Sequence, residues 1–159
     1  MEKFTFFWRT QSPFSQWHSC RFIIDGNVFN CAEQYMMYMK ASIFEDAEIA
    51  GKILASRSPS DQKKLGRNVK NFKADQWQQV CKKIVYDANY AKFTQNPELK
   101  HALLATGGTT LVEASPDDKI WGIGLAEEHP HAQNRRTWRG TNWLGDILTT
   151  LREDLIKEK

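Results

Sequence analysis

The sequence has little cysteine and no long apolar run, and each shortage removes a class of protein. Cys20, Cys31 and Cys81 are the only cysteines. They are odd in number and show no CxxC spacing, so neither a disulfide framework nor a zinc site is signalled, and a reducing compartment is expected. No stretch approaches the roughly 18 consecutive apolar residues of a membrane span. The opening MEKFTFFWRTQSPFSQW is interrupted by Lys3, Arg9, Gln11 and Ser12, which fits neither a signal-peptide core nor an anchor. A soluble, cytoplasmic protein with no membrane partner is the expectation. Strong charge of one sign is missing too: the net charge of +3 is too small for a dedicated nucleic-acid footprint but suits an anionic small substrate. With no repeat, low-complexity tract or linker, the 159 residues read as one domain, 1–159.

Aromatic residues, by contrast, are plentiful. Six Trp, nine Phe and four Tyr make up 12% of the chain, enough to fill a core and leave rings over to line a pocket. FTFFW at 4–8 reads as a strand. CRFIIDGNVFNC at 20–31 reads as a hairpin around Asp25-Gly26, a pair suited to a two-residue type I′ turn. Paired positions then sum to 51, which sets Phe22 against Phe29 and Cys20 against Cys31. Asn30 can cap the next helix, CAEQYMMYMKASIF, with Glu33 completing a capping box. That helix is apolar on nearly every side, the mark of a buried helix. Further helices are predicted at 45–56, at 58–66 with a Ser58 cap and Pro59 at its first turn, at 74–95, at 98–105 and at 142–157. TTLVEA reads as a strand, and Ser115 to Thr141 as an ordered functional loop. The fold class is mainly α with a small antiparallel β element (α+β).

On the apolar helix, Glu33 and Lys40 are the notable polar residues. Seven positions apart, they differ by about 20° in azimuth and about 10 Å along the axis. They therefore share a face and bracket a space the size of a sugar. The plainer reading makes Glu33 a cap and lets Lys40 reach solvent. Asp117-Asp118 precedes Ile120-Trp121-Gly122-Ile123-Gly124, a pattern that suits either a sugar-binding corner or an ordinary turn. Arg67 and the pair Arg135-Arg136 are phosphate candidates, since a guanidinium fork matches phosphate oxygens. Trp77 suits a base-stacking role, or a core role given its helical spacing with Val80 and Cys81. His129-Pro-His131 lacks a third partner for a metal.

Taken together, FIIDGNVFNCAEQYMMYMKA at 22–41, SPFSQW upstream of it, KKLGRNVKNF, IWGIG and GTNWLGDILTTLRE resemble, in order and spacing, the blocks of the NADAR (YbiA-like) family over nearly the whole chain. Ser15-Gln16-Trp17 stands where that family usually has Ser-Asn-Phe or Ser-Asn-Tyr, and Trp143 where Arg is common. The resemblance implies a mainly helical fold with a small β portion. It also implies N-glycosidase activity with no metal or other cofactor. Substrates in such a family include phosphoribosylamino-pyrimidine intermediates of riboflavin synthesis and ADP-ribose attached to guanine, so the partner is a phosphorylated ribosyl small molecule or an ADP-ribosylated nucleic acid. Glu33, Lys40, Trp77, Asp118 and Asn142 fall on family motif positions. Glu33, Lys40 and Asp118 are the catalytic candidates, and Phe14, Arg67, Trp77, Trp121, Gly122 and Asn142 the substrate-binding ones.

Two schemes fit these residues. In one, Glu33 or Asp118 activates water while the other protonates the leaving nitrogen. In the other, the sugar ring opens and the Lys40 amine attacks C1 to give a Schiff base, with Glu33 moving protons. A module that binds ADP-ribose or a nucleic-acid end without turnover is the alternative from a different class, since aromatics beside Arg serve that equally well.

Overall fold

The computed structural model describes residues 1–158. In chain order its elements are β1 (Phe4–Phe7), β2 (Phe22–Ile24), β3 (Asn27–Phe29), α1 (Ala32–Ile43), α2 (Ala47–Ala55), α3 (Pro59–Arg67), α4 (Ala74–Gln95), α5 (Pro97–Leu104), β4 (Thr110–Glu113) and α6 (Trp143–Lys157). Two short 3-10 turns, Pro130–Gln133 and Arg135–Thr137, lie before α6. The chain is 52% helical, as the sequence led us to expect. It divides into two compact units, one running from Gln16 to Pro97 and the other combining Met1–Ser15 with the chain from Glu98 onward.

The middle unit begins with the hairpin, whose pairs Phe22↔Phe29, Ile23↔Val28 and Ile24↔Asn27 follow the register of a two-residue turn. Asp25 and Gly26 both take the positive φ this turn requires. The ladder ends there. Cys20 N–H donates to Asn30 O at 3.0 Å, one residue off the extrapolated pairing. Phe22 and Phe29 stack at 5.6 Å, and Phe29 meets Tyr35 of α1 edge-on at 5.1 Å. Through these rings the hairpin is seated on α1.

Helix α1 starts one residue later than the capping box requires. Cys31 holds the cap position without a side-chain bond to the helix's first N–H groups, and Asn30 is drawn elsewhere. Its amide donates to the carbonyls of Ser56 and Arg57 and accepts from Gln62 Nε2 at 3.2 Å. The reach back to Asn30 N–H comes from Gln34 Oε1 at 2.7 Å rather than from Glu33. Glu33 is thereby released from the capping role. Every residue from Ala32 to Met37 is buried because α2, α3 and α4 all pack against α1.

In the other unit, β1 and β4 pair in parallel, from Phe4↔Thr110 to Phe7↔Glu113. The antiparallel expectation therefore holds for the hairpin alone. A long stretch of chain separates β1 from β4, and only a long connection permits parallel neighbours. Helix α6 packs on β4. Val112, Ile123, Leu125 and Ala132 form a buried cluster, covered by Phe4, Phe6 and Trp138.

The middle unit also buries Lys92 completely. Desolvation pulls its amine down to about 8, with the Cys20 and Cys31 thiols opposing the shift. Below pH about 8 this lysine is charged whether the chain is folded or unfolded. Above it the folded chain sheds the proton, while the unfolded chain keeps it until the ordinary value of 10.5. The unfolded state then binds more protons, so stability rises with pH. Cys31 acts oppositely: burial pushes its thiol from 9.0 up to about 12, so stability falls once the unfolded thiol ionises. The urea midpoint should therefore climb between pH 8 and 9, by up to about 1 kcal/mol in unfolding free energy, and then level off. Lys92→Met should abolish the climb. A flat or falling midpoint in the parent protein over that interval contradicts this assignment.

Candidate functional site

In the middle unit the site is built on the two ends of α1. Near its start, Glu33 N–H donates to Gln16 O at 3.0 Å, and Trp17 Nε1 donates to Glu33 Oε1 at 3.1 Å. The carboxylate is thus oriented from both its backbone and its side chain, at 6% exposure. Gln16 is fixed in turn, since its Oε1 accepts from the buried Asn89 Nδ2 at 2.9 Å. Sequence reasoning noted Trp17 only as a departure from the family pattern and gave it no role. The signal available was an indole N–H just upstream of the hairpin that leads into an apolar helix bearing a single acid.

At the far end, Lys40 is half-buried and its Nζ sits 4.5 Å from the centre of the Phe72 ring. Phe72 is braced edge-on by Phe44 at 5.3 Å. Desolvation lowers the Lys40 ammonium from the ordinary lysine value, Glu33 opposes the shift, and Arg67 adds to it. Glu33 and Arg67 thus both act on Lys40. Arg67 is exposed at the last residue of α3, where a phosphate can reach its fork. Trp77 is half-buried in the first turn of α4. Phe72, under the Lys40 amine, was not anticipated from the sequence.

The remaining candidates belong to the other unit. Asp118 Oδ1 accepts from the backbone N–H groups of Ile120 and Trp121 at 2.9 and 2.8 Å. Asp118 therefore does build a turn, and that turn sets out Trp121, which is half-buried and edge-on to Trp143 at 5.6 Å. Gly122 is required by close approach, because a Cβ there would lie 2.8 Å from Glu113 O. Phe14 is buried, edge-on to Phe7 at 5.7 Å.

Asn142 is fully buried and left-handed, at φ 54. Its Oδ1 accepts from Glu113 N at 3.0 Å, and its Nδ2 donates to Leu111 O at 3.0 Å and to Asp146 Oδ1 at 3.4 Å. Its own N–H donates to Gly122 O at 3.0 Å. Those bonds clamp the free edge of β4 to the start of α6 and to the Gly122 loop. Arg135 is likewise committed, to Glu2 at 2.7 Å and Asp146 at 3.2 Å, which removes it from the phosphate candidates. His129 Nδ1 accepts from His131 N–H, and among the described residues no cluster of His, Cys, Asp or Glu is disposed to hold a metal ion. No helix among them is long and apolar enough to cross a membrane.

Comparison with known proteins adds three findings. The family model described as NADAR domain matches residues 6–156, and so runs through both units. The N-glycosidase R617 of Acanthamoeba polyphaga mimivirus is 42% identical over 146 residues, 89% of this chain and 86% of that protein. Protein irg-1 of Caenorhabditis elegans is 45% identical over 129 residues, which cover 80% of this chain but only 61% of that protein. The solved structure of YbiA from E. coli superposes with a TM-score of 0.81 at 30% identity, covering 99% of this chain and 88% of that one.

Asn142→Ala should destabilise the protein by about 2–4 kcal/mol. It leaves the buried Glu113 N–H and Leu111 C=O unsatisfied and places Ala in the left-handed region. Equilibrium urea unfolding measures the loss, and a variant within about 0.5 kcal/mol of the parent refutes the clamp.

Proposed function

This chain belongs to the NADAR domain family, and on that premise we propose that it is an N-glycosidase that hydrolyses the bond between ribose C1 and an exocyclic amine of a heterocycle. The substrate class is a phosphorylated ribosyl compound, either a phosphoribosylamino-pyrimidine or ADP-ribosylated guanine. The observation that carries the reading is the arrangement on α1: a buried carboxylate whose Oε1 accepts from Trp17 at one end, and a partly desolvated amine in its field at the other.

Lys40 is the nucleophile in the proposed mechanism. The exocyclic nitrogen's lone pair pushes the ring oxygen off C1, giving an open-chain iminium and a hydroxyl that takes up a proton. The neutral Lys40 amine adds to C1, a proton passes from it to the heterocycle's nitrogen, and that nitrogen leaves with the electrons of its bond to C1. The result is a Schiff base between Lys40 and C1. Water adds to the Schiff base, the lysine departs as the amine, and the sugar hydroxyl recloses the ring. Each step needs a group that takes and returns a proton near C1, the part given to Glu33.

Desolvation serves this scheme by raising the fraction of Lys40 that is uncharged. The face of Phe72 tolerates the ammonium through cation–π attraction and offers no acceptor to fix it, so the amine is held without being tied. Within the middle unit, Arg67 is suited to the phosphate and Trp77 to the plane of base or sugar. The water-only scheme, with Asp118 as the second carboxylate, is less well supported because Asp118 Oδ1 already accepts two backbone N–H groups. The same two bonds suit a turn within a binding module, whereas the Glu33–Lys40 arrangement has no evident use in one.

Mass analysis of products from each of the two substrates tests the activity itself. Release of free heterocycle and ribose phosphate, or of ADP-ribose, is expected from one of them; saturable binding without release from either refutes the enzyme. For the mechanism, Lys40→Arg should lower kcat at least 1,000-fold while binding changes little, since Arg keeps the charge but cannot become a neutral nucleophile. Glu33→Gln should lower kcat about 100-fold or more, because the amide accepts the Trp17 bond but no proton. Borohydride during turnover should fix the sugar to the peptide bearing Lys40. A Lys40→Arg protein working at the parent rate would discard the covalent route.

A further inference from the structure

The middle unit carries an open groove of about 500 Å³ between the last turn of α2 and one side of α3, among Lys52, Ala55, Arg57, Asp61, Lys64 and Leu65. Asp61, Lys64 and Leu65 stand at three- and four-residue steps, which places them on a single face of α3. The link between the two helices is fixed from beneath. Ser56 O accepts from Gln34 Nε2 at 3.1 Å and from Gln62 Nε2 at 3.0 Å, while Arg57 O accepts from Asn30 Nδ2 at 3.3 Å. Gln34 and Gln62 are buried and the Arg57 residue is exposed. Three side-chain amides thus hold the backbone that sets the groove's width, and the groove is formed before anything enters it.

Positive charge gathers around this groove. Residues 52–73 hold seven Lys or Arg against Asp61 alone, a net +6 in a chain whose total is +3, so the rest of the chain is −3. A local excess of that kind attracts anions far better than the total charge suggests. Among the described residues no ion pair or side-chain hydrogen bond engages Arg57 or Lys64. Lys52 meets Glu48 at 3.4 Å with both side chains mostly exposed, a contact that competes weakly. Between the cations lie Ala55, exposed, and Leu65, half-buried. The cations call for an anion and this apolar strip for an aliphatic group. Asp61 decides which anion. A carboxylate only accepts hydrogen bonds, so it repels a phosphodiester backbone but takes a peptide N–H. No aromatic residue is among those lining the groove, which leaves a nucleic-acid base nothing to stack on.

We propose that this groove docks an acidic segment of a partner protein, with one aliphatic side chain on Ala55 and Leu65 and the flanking carboxylates on Arg57 and Lys64. Asp61 accepts a main-chain N–H of the segment. Affinity in such a contact comes from the desolvated anchor, and selectivity from the complementary charges around it. Glu33, Lys40 and Arg67 do not line the groove, so the docking surface stands apart from the N-glycosidase reading and does not depend on it.

Selection from a displayed library of random peptides on the whole protein tests the proposal. The enriched sequences should carry a Leu, Ile, Val or Met flanked by Asp or Glu. The tightest of them, synthesised with a fluorophore and titrated by anisotropy, should bind about tenfold or more weakly to Arg57→Glu/Lys64→Glu, and roughly threefold more weakly to Arg57→Gln/Lys64→Gln. Replacing its aliphatic residue with Ser should cost about fivefold or more. Neither substituted side chain is engaged in the free protein, so the melting temperature of both variants should stay at the parent value. Selection without acidic enrichment, or a peptide that keeps its affinity for the charge-reversed protein, overturns the proposal. So does tighter binding, lost in the same variant, of a dT oligonucleotide, of phosphatidylserine vesicles or of a second copy of this chain.

Discussion

Helix α1 is enclosed by three other helices, and the satisfaction of its few polar groups orders the middle unit. A buried polar atom without a partner costs more than a hydrogen bond returns, and several of these side chains recruit specific neighbours. Gln34 recruits the carbonyls of Ile53 and Ser56 at 2.9 and 3.1 Å, which pins the end of α2 to the start of α1. Glu33 recruits Trp17 and the Gln16 carbonyl, and Gln16 in turn engages Asn89 on α4. Burial thus converts a handful of polar side chains into fixed points. In the proposed reaction, a carboxylate held by Trp17 would need little reordering when a substrate arrives.

The unit containing α6 solves a different problem, the support of a long connection without regular structure. Buried loops strand backbone groups, and here side chains stand in for a missing strand. Asn142 serves the free edge of β4, Asp118 serves two successive N–H groups, and the buried Arg152 donates to the carbonyls of Thr106 and Thr109 at 2.9 and 2.7 Å. Motif positions in such a loop mix two demands, and geometry separates them. Asn142 has no exposed surface with which to meet a ligand. Trp121 retains some, and owes its placement to the Asp118 turn.

What could be read from the sequence followed the range of the interaction responsible. The hairpin register and the limits of α4 depend on local chemistry, a turn pair and an apolar period closed by Asn96-Pro97, and both are as expected. The start of α1 differs from the expected capping box because Asn30 answers to Ser56, Arg57 and Gln62, residues with no local pattern linking them to it. The parallel pairing of β1 with β4 escaped for the same reason, as did the ion pairs that occupy Arg135. At the site, the common face of Glu33 and Lys40 was visible in their spacing, whereas the Trp17 bond and the Phe72 platform join segments that only the fold brings together.

Two lysines with lowered pKa show why perturbation alone does not identify a functional group. Lys92 is shifted more strongly than Lys40, to about 8, and by the same cause, loss of water. Yet Lys92 has no exposed surface, lies 5.0 Å from the Phe93 ring and has two thiols as its charge neighbours, so no substrate carbon can approach it. Lys40 is only half-buried, stands near the end of its helix and has the Glu33 carboxylate and the exposed Arg67 as charge neighbours. A nucleophile needs a lowered pKa together with a path for the electrophile and a partner for the proton. Of the two, Lys40 keeps some exposed surface and has Glu33 as a charge neighbour, and these favour it for the proposed reaction more than the size of its shift does.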